Sequence, residues 1–166
     1  MQNQEIIFDD IKFQTLPIWK LIVLSVFTIG FYEIVWFYNI WKALAQSLPY
    51  KISPFWRMFF AGITNFSLFP KIAIYIKKHN KKAFPPILFA IIYLAIECLY
   101  KLQNSYWLLS YCSIFVIIII QKQINNINTG FYPNAQCNNW NFKNTLWSIL
   151  GGLFIILAIL VNRSGL

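Results

Sequence analysis

Four apolar stretches follow one another along the chain, separated by polar or basic residues. They cover residues 18–38, 87–100, 106–120 and 146–161. Continuous apolar runs of this kind are typical of helices that cross a bilayer. The pattern therefore predicts an all-α protein, an integral membrane helical bundle in which residues 1–166 form a single membrane domain with about four transmembrane helices.

A fifth apolar stretch, residues 55–76, is interrupted by Arg57, Asn65, Pro70 and Lys71. Its longest uninterrupted part is too short to span a bilayer. We therefore expect a re-entrant or interfacial element that enters the membrane surface and returns. A full crossing is the alternative that the sequence leaves open.

One face of the first stretch is polar and aromatic in a helix of 100° per residue. Such a face predicts contact with other helices, because its hydroxyl groups need partners. Thr28-Ile29-Gly30 predicts either a bend in this helix or the close approach of a neighbour, and Asn128-Thr129-Gly130 predicts the end of a later helix, with the glycine in a left-handed conformation. The polar face consists of Ser25, Thr28, Tyr32, Trp36 and Asn39. Trp36, Tyr38 and Trp41 are also typical of an aromatic belt at a membrane interface.

The composition excludes several function classes. Hydrophobic residues make up 58% of the chain and charged residues 11%, whereas soluble proteins average about 25% charged residues. The only histidine, His79, lies among lysines, so a Ser/His/Asp catalytic set cannot be assembled. There is no phosphate-binding glycine loop and no zinc-type Cys/His spacing. We expect no enzyme activity, no metal and no cofactor.

The net charge of +9 comes mainly from basic residues between the apolar stretches. Nucleic acid is a poor partner, because no soluble module would present these residues. Anionic lipid headgroups fit better. If residues 55–76 do not cross, most bases share one side and the amino terminus lies outside; if they cross, it lies in the cytoplasm. The candidate headgroup-binding residues are Lys71, Lys77, Lys78, Lys81 and Lys82.

Glu33 is the acid within the first apolar stretch, and such residues mark ion paths or buried pairs. Arg57 is a candidate partner for Glu33, a ligand for a lipid phosphate, or a side chain that extends to the interface. Glu97 precedes Lys101 by four residues, which predicts an ion pair along one helix. The candidate intramembrane polar site comprises Glu33, Thr28, Tyr32, Arg57 and Glu97.

The segment from Lys20 to Lys42 follows the pattern K-x3-L-S-x2-T-x-G-x-Y-E-x2-W-F-Y-x2-W-K. It resembles the opening helix of a group of small bacterial multipass inner-membrane proteins of unknown function. The chain departs from the group at Pro17, where a small hydroxyl residue is frequent. The resemblance implies a multipass protein of the bacterial inner (cytoplasmic) membrane and implies no reaction.

Two functional hypotheses follow. The first is a non-enzymatic packing, scaffold or lipid-interacting membrane protein, with membrane lipids, a second copy of itself or another membrane protein as partner. The alternative is a small proton- or ion-coupled channel or transporter unit that uses Glu33.

Overall fold

The computed structural model describes residues 11, 13–28, 30–48, 50–99, 112–131, 145 and 149. Within these residues the chain is helical and contains no strand, which confirms the all-α prediction. The helices are α1 (Ile18–Phe27), α2 (Phe31–Ser47), α3 (Pro54–Phe59), α4 (Ala61–Lys78), α5 (Pro86–Cys98) and α6 (Ser113–Phe131).

Among the helices of the described ranges, none combines the length and the apolar character needed to cross a bilayer. The stretch 18–38 is divided between α1 and α2, and the stretch 87–100 corresponds to α5. The helix expected from residue 106 is described from Ser113 onward. Apart from Ile149, the stretch 146–161 lies outside the described residues. The transmembrane bundle stays a prediction.

The bend expected at Gly30 is a break between two helices. Gly30 has a φ of +81°, a conformation that glycine adopts without the clash of a Cβ atom. The Thr28 hydroxyl donates to the Leu24 carbonyl at 2.7 Å and accepts from the Tyr32 amide at 2.9 Å. Thr28 therefore satisfies backbone groups on both sides of the break.

The stretch 55–76 forms two helices, α3 and α4, joined at Phe60. The Thr64 hydroxyl donates to the Arg57 carbonyl at 2.6 Å and ties the start of α4 to α3. Pro70 does not end α4. Its ring removes one backbone hydrogen bond, but its neighbours Phe69 and Ile72 are completely buried, and their packing holds the helix together.

Helices α4, α5 and α6 pack in antiparallel order. Asn65 of α4 donates to the Ala90 carbonyl of α5 at 3.4 Å, and the Cβ position of Gly62 lies 3.4 Å from Leu94. The amide of Phe84, which precedes α5, donates to Gln123 of α6. The other ends of α5 and α6 meet at Glu33, which the Tyr93 hydroxyl of α5 and the Ser113 hydroxyl of α6 both contact.

The polar face expected on the first stretch is turned toward the protein. Ser25 and Thr28 are buried, and the Trp36 indole donates to Gln121 of α6 at 2.7 Å. The belt prediction was wrong for two of its members, because Trp36 is 3% exposed and Trp41 is 0% exposed. Both rings fill the core rather than the molecular surface.

The end of α6 differs from expectation. Gly130 does not end α6, which continues to Phe131 with Gly130 outside the left-handed region.

The residues before α1 are fixed by α6. Asn125 binds both the amide and the carbonyl of Leu16, at 3.2 and 2.7 Å. Asn128 donates to the Phe13 carbonyl at 2.7 Å. We call residues 13–16 the amino-terminal strap.

Candidate functional site

Glu33 lies at the junction of three helices. Its side chain is 4% exposed. The Ser113 hydroxyl of α6 lies 2.9 and 3.1 Å from its two carboxylate oxygens, and the Tyr93 hydroxyl of α5 donates to it at 3.3 Å. A carboxyl group is costly to bury unless it has hydrogen-bond partners. The two hydroxyl groups are such partners, so Glu33 links α2, α5 and α6.

The local sequence explains the position of Glu33. Because the helix breaks at Gly30, α2 begins at Phe31, two residues before Glu33. The Glu33 amide donates to the Gly30 carbonyl at 2.9 Å. Glu33 therefore occupies the first turn of α2, where the helix dipole favours negative charge. Its partner Tyr93 is fixed by edge contacts with the rings of Phe37 and Phe69, at centroid distances of 5.4 and 6.3 Å.

Glu97 joins the same group. It lies one helical turn after Tyr93 on α5, is half-buried, and interacts with the hydroxyls of Ser113 and Tyr93. It also acts electrostatically on Glu33. The two carboxyl groups thus lie near the same two hydroxyl groups. Lys101, the partner expected for Glu97, lies outside the described residues. We call Glu33, Tyr93, Glu97 and Ser113 the carboxyl cluster.

Arg57 is separate from the carboxyl cluster. Its guanidinium lies over the indole of Trp41, 4.4 Å from the ring centroid, in a cation–π contact. Arg57 therefore does not pair with Glu33. Glu33 accepts hydrogen bonds from hydroxyl groups, and Arg57 lies over the ring of Trp41. Lys71 of α4 is the charged neighbour of Arg57, and its ammonium contacts the Ser67 hydroxyl at 3.4 Å.

Thr28 and Tyr32 do not join the carboxyl cluster. The Thr28 hydroxyl is used by backbone groups at the helix break. The half-buried side chain of Tyr32 lines a small cleft between the amino-terminal strap, α2 and α6, together with Gln14, Trp36 and Gln121. Of the five residues predicted for one polar site, the structure brings together Glu33 and Glu97.

The basic residues predicted to bind headgroups fall into two places. Four of them are exposed at the last turn of α4 and just after it, where positive charge is favoured by the helix dipole. Lys71 is half-buried within α4 and belongs to the surroundings of Arg57. The four exposed residues are Lys77, Lys78, Lys81 and Lys82.

Tyr93 and Ser113 were missed by sequence reasoning. A signal exists for Tyr93, because it precedes Glu97 by four residues and therefore lies on the same face of α5. Ser113 opens the apolar run of α6, and only the packing of α6 against α2 identifies its partner. A chain of hydroxyl and carboxyl groups like this one can hold a proton and pass it between its members.

The comparisons with known proteins provide no family. No family profile, curated protein or solved structure matches this chain.

Proposed function

We propose that this protein is a non-enzymatic integral membrane protein that packs against lipids and other membrane proteins. One observation carries the proposal: each of the six described helices has large apolar side chains on its exterior. The most exposed of them are Trp19, Phe31, Trp56, Phe59, Ile63, Ile87, Leu88 and Phe115.

Single exposed apolar residues are normal on soluble proteins, whereas contiguous patches mark contacts with a membrane or a partner. On α3 and the first turn of α4 the exposed residues are nearly consecutive. Phe55, Trp56, Phe59, Phe60 and Ile63 are each between 51% and 71% exposed. Lipid chains in contact with these side chains would remove them from water. We call these five residues the aromatic surface.

The charge of the chain supports the same proposal. The exposed lysines at the end of α4 suit the anionic headgroups of a cytoplasmic leaflet. The resemblance of the segment Lys20 to Lys42 to small bacterial multipass proteins agrees with a location in the bacterial inner membrane. Multiple crossings in that membrane are part of this proposal.

Tryptophan fluorescence in vesicles that contain brominated lipids tests the proposal. Bromine quenches tryptophan on contact, so Trp56, which is 61% exposed, should be quenched, and Trp36, which is 3% exposed, should be protected. We expect Trp56→Phe to remove part of the quenching and Trp36→Phe to leave it unchanged. Purified protein that is not quenched in any form would overturn the proposal.

A second candidate function is a small proton- or ion-coupled unit. The observation that favours it is the carboxyl cluster, in which the Tyr93 and Ser113 hydroxyls contact Glu33 and Glu97 lies one helical turn after Tyr93. Buried ionisable groups in membrane proteins frequently belong to proton or ion paths. Glu33 would carry the proton or cation, and Tyr93 and Ser113 would bridge it to the more exposed Glu97.

Flux of protons and cations into vesicles that contain the purified protein tests this candidate. Glu33→Gln keeps the shape of the side chain and removes its charge, and Lys122→Gln on the exposed side of α6 is the control for a changed net charge. Flux that Glu33→Gln abolishes and Lys122→Gln preserves would support a permeation role. Absence of flux from folded protein would overturn it and leave the first proposal standing.

A further inference from the structure

Arg57 stands on a rigid support next to the aromatic surface. Trp41, which lies beneath the guanidinium at 4.4 Å, is completely buried. The Arg57 backbone is fixed by the Thr64 hydroxyl at 2.6 Å. A guanidinium stacked on a ring keeps its N–H groups at its edge, where they can bind an anion in two parallel hydrogen bonds.

A second cation, Lys71, lies on α4, the helix that follows Arg57. It is half-buried and donates to the Ser67 hydroxyl at 3.4 Å, and burial together with the charge of Arg57 lowers the pKa of its ammonium group. Two positive charges in a half-buried position repel each other more strongly than in water. An anion that contacts both would convert this repulsion into attraction.

The described residues contain two acids, Glu33 and Glu97, and both belong to the carboxyl cluster with Tyr93 and Ser113. Within the described part of the chain, Arg57 therefore contacts an aromatic ring and Lys71 contacts a hydroxyl group. An anion from outside the protein fits the charge of this pair.

We propose that Arg57 and Lys71 bind the phosphate of an anionic phospholipid whose acyl chains lie along the aromatic surface of α3 and the start of α4. The aromatic surface begins at Phe55 and Trp56, the two residues that precede Arg57. An anionic phospholipid fits both the two cations and the aromatic surface, because it carries a phosphate and long apolar chains. This inference rests on the proposed membrane function.

Native mass spectrometry of the purified full chain, in micelles supplied with equal amounts of phosphatidylglycerol and phosphatidylcholine, tests the site. We expect one phosphatidylglycerol molecule to be retained in preference to phosphatidylcholine. Arg57→Gln and Lys71→Gln should each weaken retention about fivefold, as expected for one lost basic contact with an anionic lipid. Lys122→Gln removes the same charge from an exposed position of α6 and should leave retention unchanged.

Arg57→Lys keeps the charge and removes the planar group that stacks on Trp41. It should retain less lipid than the natural chain and more than Arg57→Gln, and it provides a test if Arg57→Gln does not fold. Equal weakening by Lys122→Gln, or equal retention of the two lipids by the natural chain, would overturn the site. Displacement of the lipid by an equal concentration of inorganic phosphate would also overturn it, because the acyl chains would then contribute nothing.

The two proposals fail in different ways. A chain that is not quenched by brominated lipids fails as a membrane protein, whatever its lipid preference in micelles. A chain that is quenched but retains both lipids equally is a membrane protein without this phosphate site.

Discussion

Individual side chains in this protein find partners that lie far away in the sequence. Glu33 is a residue that the sequence alone singles out, because an acid in an apolar stretch has few explanations. Its partners Tyr93 and Ser113 are 60 and 80 residues away. For Arg57 the sequence left open a pair with Glu33, a lipid phosphate or extension to the interface, and its contact with the ring of Trp41 was not among these alternatives. Residue types predict which groups need partners, and packing decides which partners they obtain.

Removing the Ser113 hydroxyl should destabilise the protein measurably. Ser113→Ala leaves the buried Glu33 without its closest hydrogen-bond partner, and an unsatisfied buried polar group costs about 1–3 kcal/mol. In a Glu33→Gln background the same substitution should cost less, because the carboxyl group that the Ser113 hydroxyl contacts is then absent. The measurement is the free energy of unfolding in micelles.

Ser67→Ala is the matched control for Ser113→Ala. Ser67 is half-buried and its contact with Lys71 is long, at 3.4 Å, so we expect a change below about 0.5 kcal/mol. An equal cost of Ser113→Ala with Glu33 and with Gln at position 33 would mean that the carboxyl group of Glu33 is not what Ser113 stabilises.

The helices lie where the apolar stretches predict them. The residues at which they end are predicted less well by glycine and proline positions. Gly30 ends one helix and starts another, as its conformational freedom predicts. Gly130 has the same residue type and lies inside α6. The difference is tertiary: Ile124, Ile127 and Asn128 of this part of α6 are buried, and their packing favours continuation of the helix. Pro70 within α4 is a second case in which packing prevails over a helix-breaking residue.

The two glycines should respond in opposite directions to alanine. Gly30→Ala forces a Cβ into the left-handed region at φ +81°, and we expect a loss of about 1 kcal/mol of stability. Gly130→Ala meets no atom within 4 Å and has a helical backbone. It should gain about 0.5–1 kcal/mol, because alanine favours the helix. Chemical unfolding of both variants in micelles measures the difference. A gain of stability from Gly30→Ala would contradict the left-handed backbone of Gly30 at the helix break.

At the scale of the described molecule, a polar seam that the apolar pattern did not reveal joins α6 to the amino-terminal strap. Gln121, Asn125 and Asn128 lie one helical turn apart along α6 and bind the backbone of the amino-terminal strap. Their amide side chains can face water or a backbone equally well, so residue type alone does not assign their partners. Extended backbone needs such partners when it is covered, and only the path of residues 13–16 across α6 shows that these amides supply them.

Removal of the Asn125 side chain should release the amino-terminal strap. Asn125→Ala leaves the Leu16 amide and carbonyl without their partner, at a cost of about 1–3 kcal/mol. Hydrogen–deuterium exchange of the Leu16 amide should become faster. Asn126→Ala is the matched control, because Asn126 is the exposed neighbour. Equal exchange of Leu16 in both variants would contradict this role for Asn125.

The molecule has two groups of phenylalanines that residue type cannot distinguish. Phe69 is 0% exposed and packs in the ring cluster with Phe37, Tyr93 and Phe84, whereas Phe59 is 69% exposed on the aromatic surface. Phe69→Ala should cost about 3–5 kcal/mol of stability through the cavity it leaves. Phe59→Ser should leave stability in micelles nearly unchanged and weaken partition of the protein into vesicles, since a buried phenylalanine contributes about 1.5–3 kcal/mol.

Unfolding in micelles and flotation with vesicles separate these two effects. If lipid covers the exterior of the helices, Phe69→Ala should reduce the stability of the protein, and Phe59→Ser should reduce its partition into vesicles. Unchanged flotation of Phe59→Ser together with a large loss of stability would mean that Phe59 packs against protein. The aromatic surface would then be an interface between chains, and its partner would have to be sought among proteins rather than lipids.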